Sequence, residues 1–121
     1  MNQFGFEKLN VWDKSKDFVI KVYRVTEGFP DSEKFGLVSQ LRRASVSVSS
    51  NIAEGSSRRS AREQGRFYTI SYSSAIEALN QLIISKDLGY ISISNYKELR
   101  NDLEEVTAML NQLHKSTKRK C

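Results

Sequence analysis

Between Tyr96 and Thr117 the residues Tyr96, Leu99, Leu103, Val106, Leu110, Leu113 and Thr117 recur at steps of 3, 4, 3, 4, 3 and 4. On an α-helix that spacing draws one line of side chains along one side, and such a line is stable only when other helices cover it. A strand would scatter the same residues over both of its faces. The segment therefore predicts a helix in a bundle, and the remaining sequence must supply the other helices.

It supplies three. The chain has one proline and six glycines, few enough to favour a few long elements. A first helix is expected over 10–27, with Trp12, Val19, Tyr23 and Thr26 on one face and Phe18, Val22 and Val25 beside them; Gly28-Phe29-Pro30 stops it. A second is expected over 32–55, capped by Asp31 or Ser32, with Leu37, Leu41, Ala44, Val48 and Ile52 as its apolar line and Gly55 as its close. The third, 60–88, begins with the capping box Ser60-Ala61-Arg62-Glu63 and ends at Gly89; the fourth, 94–117, is capped by Ser94 and followed by a disordered basic tail, 118–121. Short connections between long helices make neighbours antiparallel, so the fold class is all-α, an up-and-down four-helix bundle in a single domain.

With 121 residues and 39% hydrophobic content the chain can bury one core. Cys121 is the only cysteine and reads as a plain free thiol, which suits a reducing compartment. The start, Met1 to Glu7, has no signal-peptide pattern, and no run approaches the roughly 18 apolar residues of a membrane span. The expectation is a cytoplasmic protein with no membrane partner.

The third helix is apolar nearly all round. Phe67, Ser71, Ala75, Ala78 and Leu82 form one line, Tyr68, Tyr72, Ile76, Leu79 and Ile83 a second, and Ile70, Ile84 and Leu88 lie apart from both. Such a helix needs cover on more than one side, from a second copy of the chain or from the other three helices of its own bundle. The second helix carries a polar line as well: Gln40, Arg43, Ser47, Asn51 and Glu54 share a face. Two readings are open for it, a hydrogen-bonded structural seam between helices or subunits, and a ligand-contacting site.

Net charge is +5 and unevenly spread. Arg42, Arg43, Arg58, Arg59, Arg62 and Arg66, with Lys118, Arg119 and Lys120 in the tail, are the candidate nucleic-acid contacts; the segment 92–113 is acidic, with Glu98, Asp102, Glu104 and Glu105. No base-reading motif accompanies them, so binding would follow backbone and shape. Catalysis finds no foothold. The one histidine, His114, has Asn111 three residues before it where a di-iron bundle needs glutamate, and no arginine within ten residues before it for helical ribonuclease chemistry. Glu98, Asp102 and Glu105 share a face, but without histidine or cysteine partners this reads as a solvated or pairing face. No catalytic residue, metal, cofactor or small-molecule substrate is expected.

The stretch from Gln40 to Gly55, ending Asn51-Ile52-Ala53-Glu54-Gly55, resembles the bacterial four-helix-bundle family named for proteins encoded in intervening sequences of 23S ribosomal RNA genes. Leu9-Asn10-Val11-Trp12, Phe29-Pro30, Gly36-Leu37, Arg59-Ser60, Glu77-Ala78-Leu79 and Leu88-Gly89-Tyr90-Ile91 extend the resemblance over most of the chain; Ser71 and Ser73 stand where the family tends to have alanine and glycine. The resemblance implies a homo-oligomer, a pentameric ring, and a fold related to the accessory variability determinant protein of diversity-generating retroelements, which is associated with nucleic acid beside a reverse transcriptase. Two functions follow as expectations: a non-catalytic oligomeric accessory factor that binds RNA or DNA, or a structural adaptor that binds protein through apolar helix faces.

Overall fold

The computed structural model describes residues 1–120, with side chains as far as Lys118. Four helices make up the fold: α1 (Asn10–Thr26), α2 (Leu37–Ser56), α3 (Ala61–Asp87) and α4 (Ile93–Lys120). Each packs on its neighbours in chain order and α4 closes back on α1, so the bundle is square and α3 touches α2 and α4 but not α1. Short 3-10 turns at Gly5–Lys8 and Asp31–Glu33 precede α1 and α2.

The core follows the apolar lines of α2 and α4 closely. Leu41, Ala44, Val48 and Ile52 face Leu99, Leu103, Val106 and Leu110, all buried, and Tyr96 and Thr117 at the ends of the α4 line are buried too. In α1 the expected face is out of phase. The buried residues are Val11, Ser15, Phe18, Val22 and Thr26, while Tyr23 is exposed and Trp12 and Val19 lie on the flank. Ser15 hid the true line, because a serine reads as polar; its hydroxyl donates to the Trp12 carbonyl at 2.6 Å and so enters the core already satisfied.

Helix ends also differ from expectation. Helix α2 starts at Leu37, not Ser32: residues 31–33 form a separate turn, and Glu33 rather than Asp31 or Ser32 reaches the first turn, accepting from the Leu37 N–H at 3.3 Å. Of the capping box, the serine half is made: Ser60 Oγ accepts from the Glu63 N–H at 3.1 Å. Ser92, not Ser94, caps α4, accepting from the Asn95 N–H at 3.0 Å. Gly89 ends α3 as expected, with φ +77°; its N–H donates to the Lys86 carbonyl and that of Tyr90 to the Ser85 carbonyl, the paired bonds of a Schellman motif. The tail expected at 118–121 is helical to Lys120, because the α4 line continues through Thr117 against α3; Cys121 lies outside the described residues.

Gly55 does not close α2. It lies buried inside the last turn, and a Cβ there would stand 2.8 Å from Tyr68 Cε1 and 2.9 Å from Phe67 Cβ. Its missing side chain lets α2 and α3 approach closely. One turn along α3 and two along α2, the same contact holds a buried hydrogen bond, Ser71 Oγ to the Val48 carbonyl at 2.7 Å. Gly65, in the interior of α3, is different: a Cβ would meet only Thr117 Oγ1 at 3.5 Å and His114 Cε1 at 3.8 Å, ordinary contacts.

The two glycines should therefore respond oppositely to alanine. In urea unfolding, Gly55→Ala is expected to cost about 1–3 kcal/mol through overpacking, whereas Gly65→Ala is expected to gain roughly 0.5–1 kcal/mol through helix propensity. Equal effects at the two sites would contradict this account of the α2–α3 contact.

Candidate nucleic-acid interface

The charge distribution begins on α1. Lys14 and Lys21, two turns apart, face Glu98, Asp102 and Glu105 on α4: Lys21 Nζ lies 2.9 Å from Asp102 Oδ2 and 3.0 Å from Glu98 Oε1, and Lys14 pairs with Glu105. Hydrogen bonding to Asp102 and Glu98 raises the Lys21 ammonium above its ordinary range; hydrogen bonding to Glu105 raises that of Lys14, and the same bond lowers the Glu105 carboxyl. The three carboxylates on this face of α4 are thus paired within the chain, by two lysines.

The arginines have no such partners. Among the described residues no ion pair reaches Arg58, Arg59, Arg62, Arg66, Lys115 or Lys118. Because α3 and α4 run antiparallel, the start of α3 lies beside the end of α4. A cavity of about 250 Å³ between them is lined by Arg62 and Arg66 from one helix and His114 and Lys118 from the other, with no carboxylate in its wall. Lys118 therefore joins the α3 arginines; the side chains of Arg119 and Lys120 lie outside the described residues. Arg58 stacks over the Phe67 ring at 4.6 Å, and Arg59 is exposed.

Arg42 and Arg43 belong elsewhere. They sit near the start of α2, roughly 20 Å from Gly55 at about 1.5 Å per residue, and share a second cavity with Tyr23, Lys34 and Phe35. Arg42 is occupied structurally: its guanidinium donates to Thr26 Oγ1 at 2.9 Å and to the Tyr23 carbonyl at 3.2 Å, and stacks over the Tyr23 ring.

The polar line of α2 is split. Ser47 Oγ bonds Ser74 Oγ of α3 at 2.7 Å, and Asn51 Nδ2 donates to the Ser47 carbonyl and hydroxyl at 2.8 and 3.0 Å, so its middle lies at a helix–helix contact. Gln40, Arg43 and Glu54 are exposed at its ends. The sequence reading missed His114, Thr69 and Tyr72 as neighbours of the basic cluster. The one available signal was Gly65, an unexplained glycine near the start of α3.

The family profile described as 23S rRNA-intervening sequence protein matches residues 7–112. The chain belongs to that family. A solved structure of a protein of unknown function from the S23 ribosomal protein family of Bacteroides thetaiotaomicron VPI-5482 superposes with a TM-score of 0.78 at 24% identity, covering 87% of this chain and 98% of that one. At that identity it supports the fold alone. No curated protein matches the chain. The family carries no catalytic designation, and no helix among the described residues is long and apolar enough to cross a membrane.

The α1–α4 ion pairs give a pH signature with a defined sign. The raised Lys21 and Lys14 contributions are present below the ordinary lysine pKa of about 10.4 and are lost as pH rises through the folded value. The lowered Glu105 contribution is present above the ordinary carboxylate range and is lost as pH falls through the folded value. At half-exposed pairs the effect is small, under about 1 kcal/mol for Lys21. Chemical denaturation of the wild type and of Lys21→Gln across pH should show a constant gap between about pH 5 and 9 that closes at alkaline pH; a gap that widens above pH 10 would contradict the assignment.

Proposed function

We propose that the chain is a non-catalytic accessory protein that binds nucleic acid through the end of the bundle where α3 begins and α4 finishes. The observation that carries this reading is the division of charge: Lys14 and Lys21 pair with the acidic face of α4, while Arg59, Arg62, Arg66 and Lys118 have no carboxylate partner among the described residues. Unpaired cations clustered around a helix N-terminus attract phosphate, and releasing counterions from the nucleic acid supplies the affinity. The family's association with 23S ribosomal RNA intervening sequences agrees with this reading without specifying an activity.

Self-association accompanies it in the same proposal. Ile70, Ile84 and Leu88 are 40%, 41% and 53% exposed and share the outer face of α3, an apolar strip that a second copy would cover. A symmetric ring, the pentamer that the family resemblance suggests, would repeat the basic end around its rim. A second reading, an adaptor that docks protein on the same apolar face, rests on these residues too.

Gel shifts with structured RNA and with DNA across a salt series separate the readings. Neutralising about 6 phosphates predicts a loss of affinity on the order of a thousandfold between 50 and 200 mM salt; absence of binding at the lowest salt would favour the adaptor. Light scattering should give a multiple of the chain mass, falling toward the single chain in Ile70→Glu with Ile84→Glu. A wild-type protein that scatters as a single chain would refute self-association.

A further inference from the structure

The basic cavity between α3 and α4 does not end at His114. A second cavity, about 220 Å³, continues along the same groove one turn further on, lined by Tyr68, Thr69, Tyr72, Ser73, Asn111 and His114. Thr69 and His114 border both spaces. The two differ in chemistry. The first presents two guanidiniums and an ammonium; the second presents the half-buried Tyr72 ring, the Asn111 amide and the hydroxyls of Thr69 and Ser73, with no arginine, lysine or carboxylate in its wall.

The shared wall is ordered by its own hydrogen bonds. Thr69 Oγ1 donates to the Gly65 carbonyl at 2.9 Å, so its one proton is committed, and toward His114 Nδ1, 3.5 Å away, the hydroxyl can only accept. Thr117 likewise donates to the His114 carbonyl at 2.7 Å. Neither threonine has a proton to offer an anion, so Arg62, Arg66 and Lys118 carry its recognition. Gly65 lines the basic cavity and gives it space that any side chain would occupy.

We infer that this groove seats one nucleotide of a single-stranded nucleic acid, its phosphate among Arg62, Arg66 and Lys118 and its base against Tyr72 and His114. The inference rests on the nucleic-acid reading above and specifies its substrate. A cationic cavity that adjoins an aromatic one, with Thr69 and His114 bordering both, matches the order of phosphate and base within a nucleotide. A paired base has both faces stacked inside its duplex, so only an unpaired one can lie on Tyr72. Asn111 and Ser73 supply hydrogen-bonding groups without the paired geometry that would read one base, and the groove should accept several.

His114 is the only histidine, so its imidazole resonances report on this groove alone. The experiment titrates the full chain with a short oligouridylate, a self-complementary RNA duplex of the same length, uridine monophosphate, inorganic phosphate and a tyrosine-phosphorylated peptide. The expected result is a saturable shift of the His114 resonances with the single strand and, more weakly, with uridine monophosphate, and single-strand affinity well above duplex affinity. Arg62→Gln with Arg66→Gln should weaken single-strand binding tenfold or more relative to Arg24→Gln with Lys97→Gln, which removes the same charge elsewhere; Tyr72→Leu should weaken it about tenfold. Gly65→Leu, which fills the cavity without changing charge, should do the same while its helical circular dichroism stays that of the wild type.

Strand binding that leaves His114 unmoved, or that falls equally in the two double variants, would overturn the groove and leave the nucleic-acid function standing. Duplex bound as tightly as single strand, with Tyr72→Leu unaffected, would overturn the seated base. Preference for the phosphopeptide would overturn the ligand class. Failure to bind any nucleic acid would overturn this inference together with the function on which it rests.

Discussion

The close approach of α2 and α3 is the contact on which the rest of the bundle depends. It is made where α2 offers no side chain, at Gly55, and where the Ser71 hydroxyl donates directly to the Val48 carbonyl. A buried hydroxyl is costly unless it is bonded, and a serine that bonds a backbone carbonyl adds little bulk, so the pair fixes both spacing and register. Ser47 and Ser74 extend the arrangement toward the surface. With α3 held there, its apolar line from Tyr68 to Leu82 meets the α4 line, and the antiparallel α3–α4 pair brings residue 62 beside residue 118.

Charge follows from the same topology. The square arrangement sets α1 beside α4, and α1 carries lysines at the two positions that reach α4's carboxylates. Exposed pairs of this kind contribute little stability. Their larger consequence is electrostatic: they remove the acidic helix as an internal partner for the arginines, so the positive field is concentrated at one end instead of being cancelled across the bundle.

The sequence made some of this legible and hid the rest for identifiable reasons. The α4 line and the α2 line read correctly because leucine, valine and isoleucine dominate them at regular helical steps, and the family match and the fold agree with the resemblance carried by the stretch from Gln40 to Gly55. The α1 line was misphased because Ser15 interrupts it, and the starts of α2 and α4 shifted because several adjacent serines and acids compete for each cap. Gly55 was read as a terminator, since sequence shows a glycine near a helix end but not the tyrosine that will press against it. The polar line was visible as a face, yet which of its members meet α3 depended on the packing of a second helix. The grouping of Arg62 and Arg66 with His114 and Lys118 joins residues about fifty positions apart, and no local pattern carries such information.

Gly65 shows how the fold and the site can be separated. A glycine inside a helix is less stable than alanine by about 1 kcal/mol, because the unfolded chain has more freedom to lose. At Gly55 the neighbouring rings account for that cost, since any Cβ would collide with them. At Gly65 they do not: the nearest atoms stand at ordinary contact distance, and alanine would fit. What a side chain would take from this position is room, in a cavity walled by cations from two helices. A residue that departs from the local preference without a packing reason marks a place where another requirement prevails. The cavity beside His114 is the space such a requirement would preserve, and the anion proposed at Arg62, Arg66 and Lys118 would use it.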